Sequence, residues 1–223
     1  MHYRINNILV ESDLAAKPTC QINKKMIEII NNLPKDISVL DYGCGKLRYS
    51  IPLSKHVHDV VAIDSSFQVD KKQKIAGLCI PPRDYICKNL FVDSIESMTW
   101  ANRKYDVVFC VNVLSAIPFD LEREIVIQNA KNVLKPNGYM LLVVQYRNSY
   151  FTAYRSRNDT IRFNDGWLIK RKNNKYAFYG MPSEEKVINM CKDAGFQSFH
   201  IMRYDGSYYI KAYLNISEDG ANQ

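Results

Sequence analysis

Long apolar runs are missing from this chain of 223 residues. No stretch nears the ~18 consecutive apolar residues that a membrane helix needs, so no membrane partner is expected. The N-terminal residues Met1-His2-Tyr3-Arg4-Ile5-Asn6-Asn7 hold no basic segment followed by an apolar one, and no secretory leader is expected. The six cysteines (Cys20, Cys44, Cys79, Cys87, Cys110, Cys191) are scattered without a CxxC pair. Such spacing suits neither a zinc ribbon nor a disulfide framework, and fits reduced, mostly buried thiols in a cytoplasmic protein. His56 and His58 have no third or fourth ligand nearby in sequence, so no metal is expected. Internal repeats and low-complexity tracts are also absent. What is left is an ordinary folded composition, 47% hydrophobic and 24% charged, at a length that fits one domain over 1–223.

Acid is scarce in one window. Between Arg147 and Lys175 stand Arg147, Arg155, Arg157, Arg162, Lys170, Arg171, Lys172 and Lys175 against only Asp159 and Asp165. Six of the seven net positive charges therefore fall there, and the rest of the chain is nearly neutral.

Apolar residues at helical spacing (Ile22, Met26, Ile27, Ile29, Ile30, Leu33) predict a helix over 21–33, closed by Pro34, within an N-terminal helical segment 1–35. Strands are expected at 37–41, 59–64, 85–87, 105–112 and 139–145, with helices after Gly45, around 67–76 and over 120–134. Lys135-Pro136-Asn137-Gly138 reads as a turn. Ser183 begins a further helix that ends at Gly195, and Asp205-Gly206 joins two last strands at 196–203 and 208–215. Strands alternating with helices give an α/β domain whose sheet is mostly parallel.

Val39-Leu40-Asp41-Tyr42-Gly43-Cys44-Gly45 carries the most information. A buried strand ends at an acid, and two glycines remove side chains where the backbone must turn into a helix. Glycine tolerates positive φ and lets a ligand approach the main chain. At the carboxyl end of the first strand of an α/β sheet, a nucleotide-like cofactor binds. A dinucleotide fingerprint, G-x-G-x-x-G, fails here because Arg48 holds its third position.

Five segments in order resemble the class I S-adenosylmethionine-dependent methyltransferases over roughly 24–214. They are Asp41-Tyr42-Gly43-Cys44-Gly45; Asp64, 23 residues further on; Tyr105-Asp106-Val107-Val108-Phe109-Cys110-Val111-Asn112; Leu134-Lys135-Pro136-Asn137-Gly138; and the closing helix, Ala194-Gly195-Phe196 turn and hairpin. The resemblance implies a single Rossmann-like domain with a seven-stranded, mostly parallel sheet and a C-terminal antiparallel hairpin. It implies S-adenosylmethionine as cofactor, held by the turn Asp41, Tyr42, Gly43, Cys44 and Gly45. Asp64 would accept bonds from the ribose hydroxyls, with Ser65 beside it, and Asn112 and Val113 would line the methyl end. The adenine amino group would meet Asn89, which fits by distance from the third strand, or Asp93, which fits by charge. The third small residue often found after this turn is replaced by Lys46 and Leu47.

Methyl transfer from a sulfonium needs alignment more than acid–base chemistry, so no catalytic residue is assigned. After the fourth strand, Asn112-Val113-Leu114-Ser115 lacks the proline pair typical of enzymes that methylate exocyclic amines of bases. No cysteine sits in the Pro-Cys context of cytosine-C5 enzymes. The acceptor-recognition element then falls to the inserted segment 147–180, where cations interleave with Tyr150, Phe151, Tyr154, Phe163, Trp167, Tyr176, Phe178 and Tyr179. Alternation on both sides of Asn173-Asn174 predicts a hairpin there. Tyr146, Arg155, Arg157 and Trp167 are the candidate substrate residues. A small or medium-sized anionic or aromatic acceptor fits this mixture best. RNA or DNA is the alternative, and an inactive binding subunit a third.

Overall fold

The computed structural model describes residues 2–146 and 157–215. The apolar, β-branched runs are the strands of the main sheet. β3 (Ser38–Tyr42), β4 (Asp59–Asp64) and β8 (Tyr105–Val111) are buried almost throughout, as parallel strands covered on both faces must be. With β7 (Leu90–Ser94), β9 (Leu134–Gln145), β13 (Ser198–Tyr204) and β14 (Ser207–Tyr213), they form a seven-stranded sheet in the order β13-β14-β9-β8-β3-β4-β7. β14 runs against both of its neighbours, and the other pairings are parallel. This is the α/β sheet with a terminal antiparallel hairpin that the residues predict.

Helices cover the sheet. In α1 (Lys24–Asn31) the Asn23 side chain accepts from the amides of Lys25 and Met26, and Met26 and Ile30 turn inward. α2 (Ser50–His56) follows the glycine turn, and α3 (Ser66–Asp70) follows β4. α4 (Asp120–Val133) lies between β8 and β9, and α5 (Glu184–Asp193) is capped by Ser183. Asp106 ties the sheet's lower edge together: Ser38 donates to it through N and Oγ at 2.8 and 2.9 Å, and Lys135 Nζ donates at 2.8 Å.

Several expectations need correction. The N-terminal segment 1–35 is not helical throughout: β1 (His2–Ile5) and β2 (Ile8–Glu11) form a hairpin before α1. Its two-residue connection, Asn6-Asn7, has φ of 45° and 65°, the doubly left-handed turn that matches strand twist. The third strand is Leu90–Ser94, not 85–87. The helix near 67–76 stops at Asp70 and gives way to a small hairpin, β5 (Gln73–Ile75) and β6 (Leu78–Ile80). Residues 135–138 continue β9 instead of forming a separate turn, with an irregular register opposite Tyr105 and Val107.

The inserted segment supplies β10 (Thr160–Phe163), β11 (Gly166–Lys170) and β12 (Tyr176–Gly180). β11 and β12 are the two arms of the predicted hairpin, and Asn173 and Asn174 both adopt positive φ between them. Unforeseen is their partner. β12 pairs with β2 at Tyr176 and Val10, making a second sheet, β1-β2-β12-β11-β10, from segments about 150 residues apart. Lys175 Nζ reinforces that joint at 2.9 Å from Glu11. Among the described residues no helix is long and apolar enough to cross a membrane.

Candidate cofactor cleft

The carboxyl ends of β3 and β8 meet where the strand order reverses, the place at which open α/β sheets bind ligands. A cleft of about 1090 Å³, counting its open mouth, lies there. Gly43 turns out of β3 with φ +77°. Its amide and that of Cys44 donate to Ile63 O at 2.7 and 3.0 Å, fixing the turn to β4. A Cβ on Gly43 would stand 2.4 Å from Cγ2 of Val113, so the loop after β8 closes directly over the turn. Gly45, also left-handed, donates through its amide to Asp64 Oδ2 at 2.9 Å.

Two acids face this turn. Asp41 is buried and accepts from Ser50 Oγ at 2.5 Å. Burial pushes its carboxyl up to about 6, the Ser50 hydroxyl works against that, and neighbouring Asp64 adds to it. Asp64 is raised too, chiefly by burial, despite donors from Gly45 and Ser65. Two carboxylates on one cleft lining, Asp41 buried and Asp64 partly so, favour a ligand that brings positive charge or several donors. The Cys44 thiol is pushed well up by burial, which makes it an inert wall and not a nucleophile.

The end of β8 and the loop after it carry unsatisfied polar atoms. Asn112 sits at φ 61° at the end of β8, with its amide donating to Val143 O at 2.7 Å. Its Oδ1 and the Oγ of Ser115 are buried without a hydrogen-bond partner. Buried acceptors are rarely left open, so such atoms mark a place for a ligand's donors.

Asp41, Tyr42, Gly43, Cys44, Gly45, Asp64, Asn112 and Val113 thus border one cleft. Other candidates lie elsewhere. The amide of Asn89 caps α2 through Ser54 O and Val57 O, at 3.4 and 3.3 Å. Asp93 is taken up by Ser97, Thr99, Arg83 and the Ser94 amide, which together outweigh burial and hold it well below the usual carboxylate range. Neither reaches the cleft wall, where Ile95 stands instead. Ser65 supports Asp64 through its amide at 2.8 Å. Tyr146 stacks on Tyr208, with ring centroids 4.3 Å apart. Arg157 pairs with Asp159 at the surface, and Trp167 is buried under Arg162 at 4.5 Å. Arg155 lies outside the described residues, as do Tyr150, Phe151 and Tyr154. His56 Nε2 donates to Leu33 O at 2.8 Å, a structural contact.

Sequence reasoning missed the N-terminal part of the cleft's lining. Tyr3, Ser12, Asp13, Ala16 and Lys17 from the N-terminal segment line it, with Tyr179 of β12. Asp13 belongs to a cluster with His2 and Glu11 whose ligand atoms all lie within 4.8 Å of one another. The Asn6-Asn7 dipeptide after the alternating His2-Tyr3-Arg4-Ile5 was the available signal for that hairpin. Nothing in the composition of residues 12–17 marks them as a wall.

The comparisons agree with this geometry. A family model described as "Methyltransferase domain" matches residues 17–201. A protein of Escherichia coli (strain K12) described as "Uncharacterized protein YmfD" is 30% identical over 213 residues, covering 94% of this chain and 95% of its own. Among solved structures, a SAM-dependent methyltransferase from Methanosarcina mazei superposes with a TM-score of 0.62 at 20% identity, over 84% of this chain and 97% of that one. Magnesium protoporphyrin IX methyltransferase from Synechocystis PCC 6803, solved with bound SAH, gives 0.55 at 18% identity, over 85% and 82%.

Proposed function

This chain belongs to the methyltransferase-domain family, with S-adenosylmethionine as its cofactor, and from that premise we propose that it methylates a small or medium-sized anionic or aromatic acceptor. The cofactor supplies an electrophilic methyl on a sulfonium. The residues present suit it: Gly43 and Gly45 leave backbone bare where Val113 and Ala16 close in, and Asn112 Oδ1 offers an unpaired acceptor. Asp64 would hold the ribose hydroxyls, Asp41 would face the positively charged end, and Val113, which closes over Gly43, would help to shield the methyl end from water.

One observation carries the acceptor's size. Tyr3 and Tyr179 of the second sheet, with Ser12, Asp13, Ala15, Ala16 and Lys17 just after β2, line the same cleft as Gly43 and Asp64, so the second sheet and the segment that follows β2 enclose part of it. Such a wall suits a molecule enclosed between two sheets better than a duplex laid across an open face. Lys17, Lys46 and Arg48 on the same lining favour negative charge. Magnesium protoporphyrin IX, named for one structural neighbour, is an anionic macrocycle.

Calorimetry with S-adenosylhomocysteine tests the cofactor half. Wild type should bind, and Asp64→Ala should lose at least tenfold in affinity, since it gives up charge-assisted bonds of about 1.5–3 kcal/mol. No binding by wild type would sink the reading. The basic window favours a nucleic acid as the second reading. In that case tRNA or duplex DNA should bind with an affinity that falls steeply with salt, and Lys170→Ala with Arg171→Ala should flatten the slope. Transfer of labelled methyl to small hydroxy-arenecarboxylates, without salt-dependent tRNA or DNA binding, decides for the small acceptor.

A further inference from the structure

Asp13 lines the cleft with half of its carboxylate unsatisfied. Its side chain is 3% exposed, Lys71 Nζ donates to Oδ2 at 2.8 Å, and Oδ1 is buried with no hydrogen-bond partner. The cluster around it is already balanced in charge: Lys71 pairs with Asp13, and Lys175 pairs with Glu11 at 2.9 Å. A divalent cation would have to displace both lysines, and a cationic ligand would meet them as like charges. What the site lacks is a hydrogen-bond donor without net charge. His2 Nε2 lies 3.9 Å from the open oxygen, too far for a hydrogen bond, on a ring partly open to solvent.

We propose that Asp13 is the acceptor-positioning general base of this enzyme, with Oδ1 receiving a neutral O–H or N–H of the atom to be methylated. The proposal rests on the methyltransferase reading above. The step balances. The acceptor heteroatom's lone pair forms the bond to the methyl carbon, and the pair of the broken carbon–sulfur bond stays on sulfur. The proton leaves the heteroatom for Asp13 Oδ1, and is given up to water when the methylated product departs. Lys71, which holds the other oxygen, fixes the carboxylate's orientation while leaving Oδ1 open. Residues 12–17 thereby serve in recognition as well as in closing the cleft.

The test uses the full chain saturated with S-adenosylhomocysteine, its binding checked first by calorimetry, and phenol and anisole as probes followed by ligand-observed NMR. Phenol should bind about tenfold more tightly than anisole, which has the same ring but no O–H. The preference should vanish in Asp13→Ala and persist in Lys71→Met, which loses the same ion pair but keeps Oδ1. A parallel arm with aniline and N,N-dimethylaniline separates N–H from O–H acceptors. Asp13→Asn serves as a second variant if the alanine form does not fold, since it keeps an acceptor oxygen and should retain part of the preference. No phenol binding, no preference in wild type, or a preference that survives in Asp13→Ala overturns the proposal. A preference seen only with added Mg²⁺ or Zn²⁺ overturns it in favour of a metal at His2, Glu11 and Asp13. Failure of S-adenosylhomocysteine to bind refutes the underlying reading instead, so the two failures are distinct.

Discussion

Arg123 of α4 is wholly buried and grips Asp165, in the turn between β10 and β11, with Nη2 2.8 Å from Oδ1. Its Nε also donates to Leu114 O and Ile117 O at 3.0 and 2.9 Å, in the loop that lines the cofactor cleft. One side chain therefore couples the main sheet's helix, the cleft loop and the second sheet.

Asp165→Ala should expose that coupling. It leaves the buried guanidinium two carbonyl acceptors and, among the described residues, only the half-exposed Asp120 as counter-charge, so about 3 kcal/mol of stability should be lost in urea unfolding. Arg123→Met combined with Asp165→Leu should cost less than Asp165→Ala alone, because no charge is left unpaired. Burial opposes ionisation of Asp165, but Arg123 and Lys186 outweigh it and hold its carboxyl below the usual range. A depressed folded value contributes stability above the unfolded value, ~4, and that contribution is lost as pH falls through the folded one. The acid limb of the stability curve should therefore flatten in the double variant.

Gly43→Ala should abolish cofactor binding through two separable effects. The added methyl would lie 2.4 Å from Val113 Cγ2, and φ of +77° is strained for any other residue. Val113→Ala in the same chain removes the clash but not the strain, which costs about 1–2 kcal/mol. Titration with S-adenosylhomocysteine should then recover part of the affinity, and full recovery would mean that backbone strain plays no role.

Much of this was legible because the main sheet follows strong local rules. Val39, Leu40 and Val60 to Ile63 are unbroken apolar runs, and Gly43, Asp64 and Asn112 each mark a strand end where the chain must turn. The third strand was not, since Leu90-Phe91-Val92-Asp93-Ser94 ends in two buried polar residues whose partners (Arg83, Ser97, Thr99) lie outside it. The pairing of Val10 with Tyr176 was beyond reach for a different reason. It is set by tertiary packing between distant segments, and neither carries a mark of its partner. Asp13 was hidden with it, as a short acidic residue in an unpatterned strip.

Asp106 should reveal how far the start of β3 depends on β8. Burial opposes its ionisation, but donors from Lys135 and Ser38 overcome it and keep the carboxyl low. Asp106→Ala should lower stability near neutral pH by about 1 kcal/mol, as expected for a part-exposed cluster. The penalty should shrink below pH ~4, where the unfolded chain's carboxyl begins to take up a proton, and vanish as pH falls through the lower folded value. Cofactor affinity, read by calorimetry well below the melting temperature, should not change.

Asp41 should behave in the opposite sense. Its folded value, about 6, lies above the ordinary 3.8 because burial penalises the charge more than Ser50 relieves it. Between those values the folded state holds a proton that the unfolded state has lost. Stability from this group thus falls as pH rises towards 6, and the full cost of a buried charge remains above it. Asp41→Asn keeps an acceptor for Ser50 and removes that charge. The apo protein should gain on the order of 1–3 kcal/mol at pH 7.5 and nothing at pH 4, measured by urea unfolding at both. The same substitution should weaken S-adenosylhomocysteine binding about tenfold at pH 7.5, since the ammonium loses its counter-charge. Wild-type affinity should decline as pH drops through 6, while that of the variant keeps only the slope contributed by Asp64. A variant no more stable than wild type at pH 7.5 would show that the carboxylate is already compensated without ligand, and that the cleft is not built around a positive charge.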